Sequence, residues 1–225
     1  MAEHILTSST WQPDLEDFMH EHHLREQDRE MTALLIEETR SLSGPLGGFC
    51  AVSPAHCSKD TVHLNGSTLH SKLLCRHLST QELVFPFVTT CGPELSSWVD
   101  SKTDLMDNYL AHALAEKATH QITEDLRLTL EDQYQVRDLS RMQPGSLPDW
   151  PLQEQQPLFQ ILGSIPDSVQ VRLTSSSLML PTLSLSGIFF QDPEGFISCQ
   201  LCSRTTCPRR KAPFDPERLA RLQEE

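Results

Sequence analysis

Three cysteines near the carboxyl end have a spacing typical of ligands for a metal ion or cluster. Cys199, Cys202 and Cys207 form a Cys-x2-Cys-x4-Cys pattern and account for three of the chain's seven cysteines. Thiolates bind zinc and iron–sulfur clusters well, but a tetrahedral site needs a fourth ligand. Besides an external group, the candidates for that ligand are Cys50, Cys57 and Cys91. The alternative is three reduced thiols on a surface segment.

The residues around these cysteines are basic. Arg204, Arg209, Arg210 and Lys211 all lie within a few positions of the cysteines. Their charges could lower the thiol pKa values, dock an acidic partner, or only keep the segment soluble. We therefore treat residues 199–225 as a cysteine-rich basic tail and predict a bound Fe–S cluster or zinc ion there.

A second candidate for chemistry is the stretch 141–157, which is dense in Pro, Gly and Gln and is predicted to be a long irregular loop. Long loops inside compact domains are usually functional. Arg141, followed by Pro144 and Gly145, would present a guanidinium and open backbone groups from a stiffened turn, which suits a carboxylate. Arg141 could instead anchor the loop through a salt bridge. No serine-hydrolase, zinc-protease, P-loop or dinucleotide motif occurs, so no catalytic residue is assigned.

Composition excludes several classes of protein. The 225 residues carry 18 basic and 31 acidic side chains, a net charge of −13. Such an acidic chain is unsuited to general nucleic-acid binding or to adsorption on anionic membranes. We see no signal-peptide pattern at the N-terminus and no apolar run of membrane-spanning length. We therefore expect a cytoplasmic protein whose thiols stay reduced.

Helices are predicted from capping residues and from apolar spacing. Asp14 is expected to cap a helix that runs to Glu21, and a second helix is expected over 28–42. An apolar stripe indicates a long helix over 104–132, and a short helix is predicted over 158–163. The stripe consists of Leu105, Tyr109, Leu110, Ala113, Leu114, Ala118, Ile122 and Leu126.

Strands are predicted between these helices, at 49–52, 61–64, 83–90, 169–173 and 184–190. The pair Asn65-Gly66 indicates a type I′ turn, after which Leu69 is expected to begin a helix that ends at Leu78. Strands and helices mix without a βαβ rhythm, so the fold class we predict is α+β with a twisted antiparallel sheet and flanking helices.

Several strings, in a fixed order, resemble the reactivation (activation) domain of cobalamin-dependent methionine synthase. The first part of the match is Leu64-Asn65-Gly66-x-x-Leu69 and Phe87-Val88-Thr89-Thr90-Cys91-Gly92. The second part is Arg141-x-x-Pro144-Gly145, Pro148-Asp149-Trp150-Pro151-Leu152 and Gln155-x-x-Leu158-Phe159-x-x-Leu162. The third part is Leu173-Thr174-x-Ser176-x-x-Met179-x-Pro181-x-x-Ser184-x-Ser186-Gly187-x-x-Phe190. The chain looks most like short stand-alone versions of that domain. The resemblance covers residues 30–198, preceded by an acidic helical segment, 1–29.

This resemblance implies a site for S-adenosylmethionine. The family's loop contacts carry over to Arg141, Gln143, Gly145 and Ser146, and its second contact, an aromatic pair, to Phe196 and Ile197. Ser146 stands where the family has a tyrosine. His120 stands near where the family has a glutamate in the long helix.

The resemblance also implies an accessory role. In the family the domain presents S-adenosylmethionine to inactive cob(II)alamin, and an external electron donor permits reductive methylation. A stand-alone copy would serve a separate corrinoid protein, or a methionine synthase lacking its own reactivation domain. Two alternatives remain open: a docking module that has lost the ligand, and an iron–sulfur electron donor acting through the tail cysteines.

Overall fold

The computed structural model describes residues 3–7, 11–54, 56–204, 206–207 and 210–224. Within these ranges the helices are α1 (Leu15–Glu21), α2 (Arg29–Thr39), α3 (Lys72–Leu78), α4 (Pro93–Asp100), α5 (Leu105–Tyr134), α6 (Gln155–Leu162), α7 (Ile165–Ser168) and α8 (Pro216–Glu224). The strands are β1 (Glu3–Thr7), β2 (Leu46–Cys50), β3 (His56–Ser58), β4 (Thr61–Leu64), β5 (Ser67–His70), β6 (Phe85–Thr90), β7 (Leu139–Met142), β8 (Arg172–Leu173), β9 (Met179–Leu180) and β10 (Ser184–Gln191). Short 3-10 turns occupy Glu26–Asp28, Leu152–Glu154 and Ser198–Gln200.

A five-stranded sheet forms the centre of the fold, with the order β1-β2-β6-β10-β7 and every pair antiparallel. The middle strand, β6, is buried along its whole length because both faces of the sheet are covered. Strand β7 lies at one edge and pairs with β10, with Arg141 opposite Phe189. The α+β class with antiparallel sheets and flanking helices is confirmed.

Helix α5 covers one face of this sheet. The Asp104 carboxylate caps it by accepting hydrogen bonds from the backbone N–H groups of Met106 (2.8 Å) and Asp107 (3.1 Å). Most of the predicted stripe is buried, but Leu105 is 86% exposed and Tyr109 is 54% exposed. These two positions were wrongly expected in the core; Tyr109 only meets the His22 ring edge-on, at 6.3 Å between ring centroids.

The opposite face of the sheet carries the largest core cluster. Helices α3 and α6 pack there around the fully buried Trp150, together with Met142, Leu147 and Leu201. Leu201 belongs to the segment predicted as a tail, so this segment begins inside the core. Residues 1–29, predicted as helical, also contribute a strand, because β1 pairs with β2 and extends the sheet.

The prediction that a helix begins at Leu69 was wrong. Asn65 and Gly66 do adopt positive φ, but the turn leads into strand β5, where Leu69 pairs with Val62. The helix begins only at Lys72, capped by Ser71. A type I′ turn returns the chain antiparallel to the preceding strand, and pairing to β4 took precedence over helix formation.

The loop predicted over 141–157 is shorter than expected. Arg141 and Met142 extend strand β7, since β10 offers them backbone partners. At the other end, residues from Leu152 onward are already helical. The irregular part is therefore 143–151. No helix within the described ranges is long and apolar enough to cross a membrane.

Candidate functional site

Arg141 lies on the edge strand β7, and no described residue donates or accepts a hydrogen bond at its guanidinium. Its cross-strand neighbour Phe189 packs in the cluster beneath α5, with Leu126 and Leu130, so Arg141 faces the same side. The side chain is half-buried, yet among the described residues no hydrogen bond and no ion pair within 4.0 Å engages its guanidinium. The structure thus gives no support to a structural salt bridge as the reason for Arg141.

Burial lowers the pKa of Arg141, and the nearby charge of Glu124 acts in the opposite direction. An arginine stays protonated in spite of such a shift. It therefore presents a desolvated cation with free donors in a planar fork, the geometry that carboxylates bind in a bidentate manner.

Glu124 is the acidic group of this site. Two hydrogen bonds from Arg127 Nε reach its carboxylate oxygens at 2.9 and 3.0 Å. Hydrogen bonding from Arg127 is the main cause that holds the pKa of Glu124 below its usual value, and the charges of Arg141 and Lys211 act in the same direction. The site thus combines an ionised carboxylate with cations.

The sequence resemblance pointed to His120, and not to Glu124, as the residue near the family's glutamate. Residues four apart share a helix face, so Glu124 lies one turn further along the same face of α5. His120 itself faces Glu116, with 3.9 Å between His120 Nε2 and Glu116 Oε1. The i, i+4 relation was the signal that could have identified Glu124.

The turn after Arg141 is closed by its own hydrogen bonds. Ser146 Oγ donates to the carbonyl of Gln143 (2.6 Å), so this hydroxyl is engaged within the turn. Gly145 has φ +81°, which favours glycine, and its N–H donates to the Trp150 carbonyl at 2.7 Å. The backbone amide of Gly145, expected to be open for a ligand, is therefore occupied.

Two carboxylates fix the rest of the loop to the body of the protein. Asp149 accepts hydrogen bonds from the Ser71 hydroxyl and from the N–H of Leu73 (3.0 Å), at the start of α3. Glu154 accepts from the N–H of His70 at 2.7 Å. With Trp150 buried between these anchors, the loop holds Arg141 and Gln143 in a preorganised position.

The predicted second contact divides into a core residue and a surface residue. Phe196 is 4% exposed, and its ring lies 4.7 Å from the His77 ring. It is already packed against protein. Ile197 is 37% exposed and can contact a ligand or partner. The ligand roles of both remain predictions.

The His77 ring packs against the rings of Phe190 and Phe196, and its protonation makes the stability of the fold depend on pH. Burial lowers the pKa of His77, with smaller contributions of both signs from nearby charges. The folded state therefore favours the neutral ring. The contribution of this ring to the free energy of unfolding is complete above about pH 6.5, the ordinary imidazole pKa. This contribution is lost as the pH falls through the lower pKa of the folded state.

We expect the unfolding free energy to fall between pH 7.5 and 5.5, and to fall less in His77→Phe. Urea denaturation at several pH values checks this prediction. An equal change of unfolding free energy with pH in the wild type and in His77→Phe would refute it.

The tail cysteines do not converge in the structure. Cys199, Cys202 and Cys207 are half-buried free thiols, and the described part of the chain contains no group of three or more His, Cys, Asp or Glu side chains placed to hold a metal ion. Cys50 and Cys91 are fully buried, and burial raises the pKa of Cys91 to about 12. Metal binding by the tail remains a prediction.

We compared the chain with known proteins, and the fold has counterparts among solved structures. No family model matches the chain, and no curated protein matches it. Among solved structures, the fold is that of a reactivation domain. One matching structure is the crystal structure of the MetH reactivation domain bound to AdoHcy (S-adenosylhomocysteine), with a TM-score of 0.64. The match covers 88% of this chain and 80% of the other at 16% identity. The fold expected from the sequence strings is thus confirmed.

Proposed function

We propose that this chain is an accessory protein that binds S-adenosylmethionine at Arg141 and supports reductive reactivation or methylation of a corrinoid. The corrinoid (cobalamin) would be carried by a partner protein, such as a methionine synthase without its own reactivation domain. The observation that carries the proposal is the half-buried guanidinium of Arg141, which no described residue hydrogen-bonds, on a fold shared with a domain solved bound to AdoHcy.

The charges around Arg141 suit the amino-acid end of that ligand, which carries a carboxylate and an ammonium group. Arg141 offers free donors to a carboxylate. Glu124 is ionised and can attract an ammonium group, although Arg127 shares its oxygens. The methionine part of S-adenosylmethionine would therefore meet both signs of charge in one site.

A partner would supply the remaining chemistry. Cobalt in the partner's corrinoid would accept the methyl group from the ligand's sulfonium, with one electron from an external donor, leaving S-adenosylhomocysteine. In this proposal our chain holds the ligand and docks on the partner.

The test is a reconstitution with a corrinoid protein that lacks a reactivation domain, held in the cob(II)alamin state with a low-potential electron donor and S-adenosylmethionine. We expect S-adenosylhomocysteine, measured by chromatography, to form only when this chain is present. Equal product without the chain would overturn the proposal. If the chain captures the corrinoid protein but neither binds nor consumes ligand, it is a docking module, an outcome that the engaged Ser146 hydroxyl favours.

The tail cysteines give a separate prediction. If Cys199, Cys202 and Cys207 bind zinc or an iron–sulfur cluster, protein purified without oxygen will contain about one metal site per chain. An iron–sulfur cluster would also give a brown colour and could pass electrons to cobalt. Cys202→Ser is expected to lose the metal, and Cys91→Ser, at a buried thiol, to keep it. Metal-free wild-type protein by elemental analysis would end this prediction.

A further inference from the structure

Two histidines face each other across the hairpin formed by β3 and β4. His56 and His63 are register partners in this antiparallel pair, and both side chains are exposed. Their rings lie nearly parallel, at 18°, with 6.1 Å between the ring centroids. Residues directly opposite each other in such a pair have Cβ atoms about 4.5–5.5 Å apart. Because metal–nitrogen bonds are about 2.0–2.1 Å long, the two rings need only turn until one nitrogen of each lies within about 4 Å of the other.

Thr68 on the neighbouring strand β5 fixes the orientation of one of these rings. It is the register partner of His63 in the β4–β5 pair, and its Oγ1 lies 2.9 Å from His63 Nδ1. When Thr68 accepts the Nδ1 proton in a hydrogen bond, Nε2 keeps its lone pair, which is the usual arrangement of a metal-bound histidine. No described residue hydrogen-bonds to Nε2 of His56 or of His63. Both Nε2 atoms are therefore open to an ion.

The other face of this three-stranded sheet is buried, which gives the histidine pair a firm support. Val62 on β4 and Leu69 on β5 are fully buried in the core cluster that contains Trp150. That cluster covers the face of the central sheet opposite to α5, whereas Arg141 faces α5. The histidine pair is thus separate from the Arg141 site, and strands rather than a loop position it.

We infer that His56 and His63 form a surface site for a divalent transition-metal ion, with Thr68 as a positioning residue. Imidazole suits zinc, nickel and copper ions. In the described part of the chain, no third His, Cys, Asp or Glu side chain completes a set of three ligands, so water or a group from another molecule fills the remaining coordination positions. The site is built from nitrogen ligands and depends neither on the tail cysteines nor on S-adenosylmethionine.

Titration of ¹⁵N-labelled protein with Ni²⁺, followed by nuclear magnetic resonance, locates the ion because paramagnetic nickel broadens nearby amide signals. We expect saturable broadening within residues 56–70 of the wild type. His63→Ala is expected to bind nickel about 100-fold more weakly at this place, since a single imidazole loses the gain from two linked ligands. His20→Ala, which removes an exposed histidine from α1, is expected to leave the broadening unchanged. Equal broadening in His63→Ala, or broadening confined to the tail cysteines at millimolar nickel, would overturn the site.

Variants of Thr68 test its positioning role. Thr68→Val keeps the shape of the side chain but removes the hydrogen-bond acceptor, and we expect nickel to bind about tenfold more weakly. Thr68→Ser keeps the hydroxyl group and is expected to retain the wild-type affinity. Imidazole ¹⁵N shifts without metal should show His63 protonated at Nδ1 in the wild type and in Thr68→Ser, and a mixture of tautomers in Thr68→Val. Equal nickel affinities and equal tautomers in all three proteins would overturn the role of Thr68.

Discussion

Replacing Arg141 with alanine is expected to weaken binding of S-adenosylhomocysteine by about 10- to 150-fold. Hydrogen bonds to charged groups contribute roughly 1.5–3 kcal/mol, and each 1.4 kcal/mol is about tenfold in affinity. Arg141 is half-buried, and no described residue hydrogen-bonds to its guanidinium, so its donors are available to the ligand although the charge of Glu124 lies nearby. Arg141→Lys keeps the charge but loses the planar fork, and we expect an intermediate loss. Calorimetric titration measures the ligand affinity of the wild type, Arg141→Ala and Arg141→Lys.

The control is Arg172→Ala, which removes an exposed arginine from strand β8. We expect it to leave the affinity unchanged. Stability provides a second check, because an unpaired, half-buried cation contributes little to folding. Arg141→Ala should therefore unfold in urea at the wild-type midpoint or above it. A lower midpoint with unchanged affinity would assign Arg141 a structural role and contradict the ligand site.

Adding one methyl group at Gly187 is expected to cause the largest loss of stability. A Cβ atom there would lie 2.2 Å from the carbonyl oxygen of Met142, and the Phe87 ring stands at 3.1 Å. The obstacle is backbone, so β10 and β7 must separate and lose part of their ladder. We expect Gly187→Ala to cost roughly 3–5 kcal/mol, at the upper end for a single substitution.

Gly66→Ala is the matched control for this substitution. Nothing lies within 4 Å of a Cβ atom there, and only the positive φ opposes it, at a cost of about 1–2 kcal/mol. Urea denaturation compares the two variants. Because Met142 is the neighbour of Arg141 in β7, Gly187→Ala should also weaken ligand binding. Equal stability losses in the two variants would show that the β7–β10 edge adapts, contrary to this expectation.

Features that depend on local chemistry were predictable from the sequence. Asp104 caps α5 as its side-chain type requires, and the apolar, β-branched run at 83–90 contains the central strand. The ordered strings around Arg141 indicated the fold before any coordinates did. In each case the information lies within a few neighbouring residues.

Features that depend on distant partners were not predictable. Leu69 lies in a strand because β4 is available beside it, and Leu105 continues the apolar stripe of α5 but is 86% exposed. Glu124 and Arg141 belong to different elements, and only the fold brings the charge of Arg141 to act on the Glu124 carboxylate. The hydroxyl of Ser146 is engaged by a turn whose closure depends on the buried Trp150.

The most direct test of the account is nuclear magnetic resonance of ¹⁵N-labelled wild-type protein titrated with S-adenosylhomocysteine. We predict saturable shifts concentrated at the amides of Arg141, Gln143 and Ser146 and on α5 near Glu124. Absence of shifts at millimolar ligand, or shifts confined to other regions, would contradict the claim that Arg141 forms the ligand site.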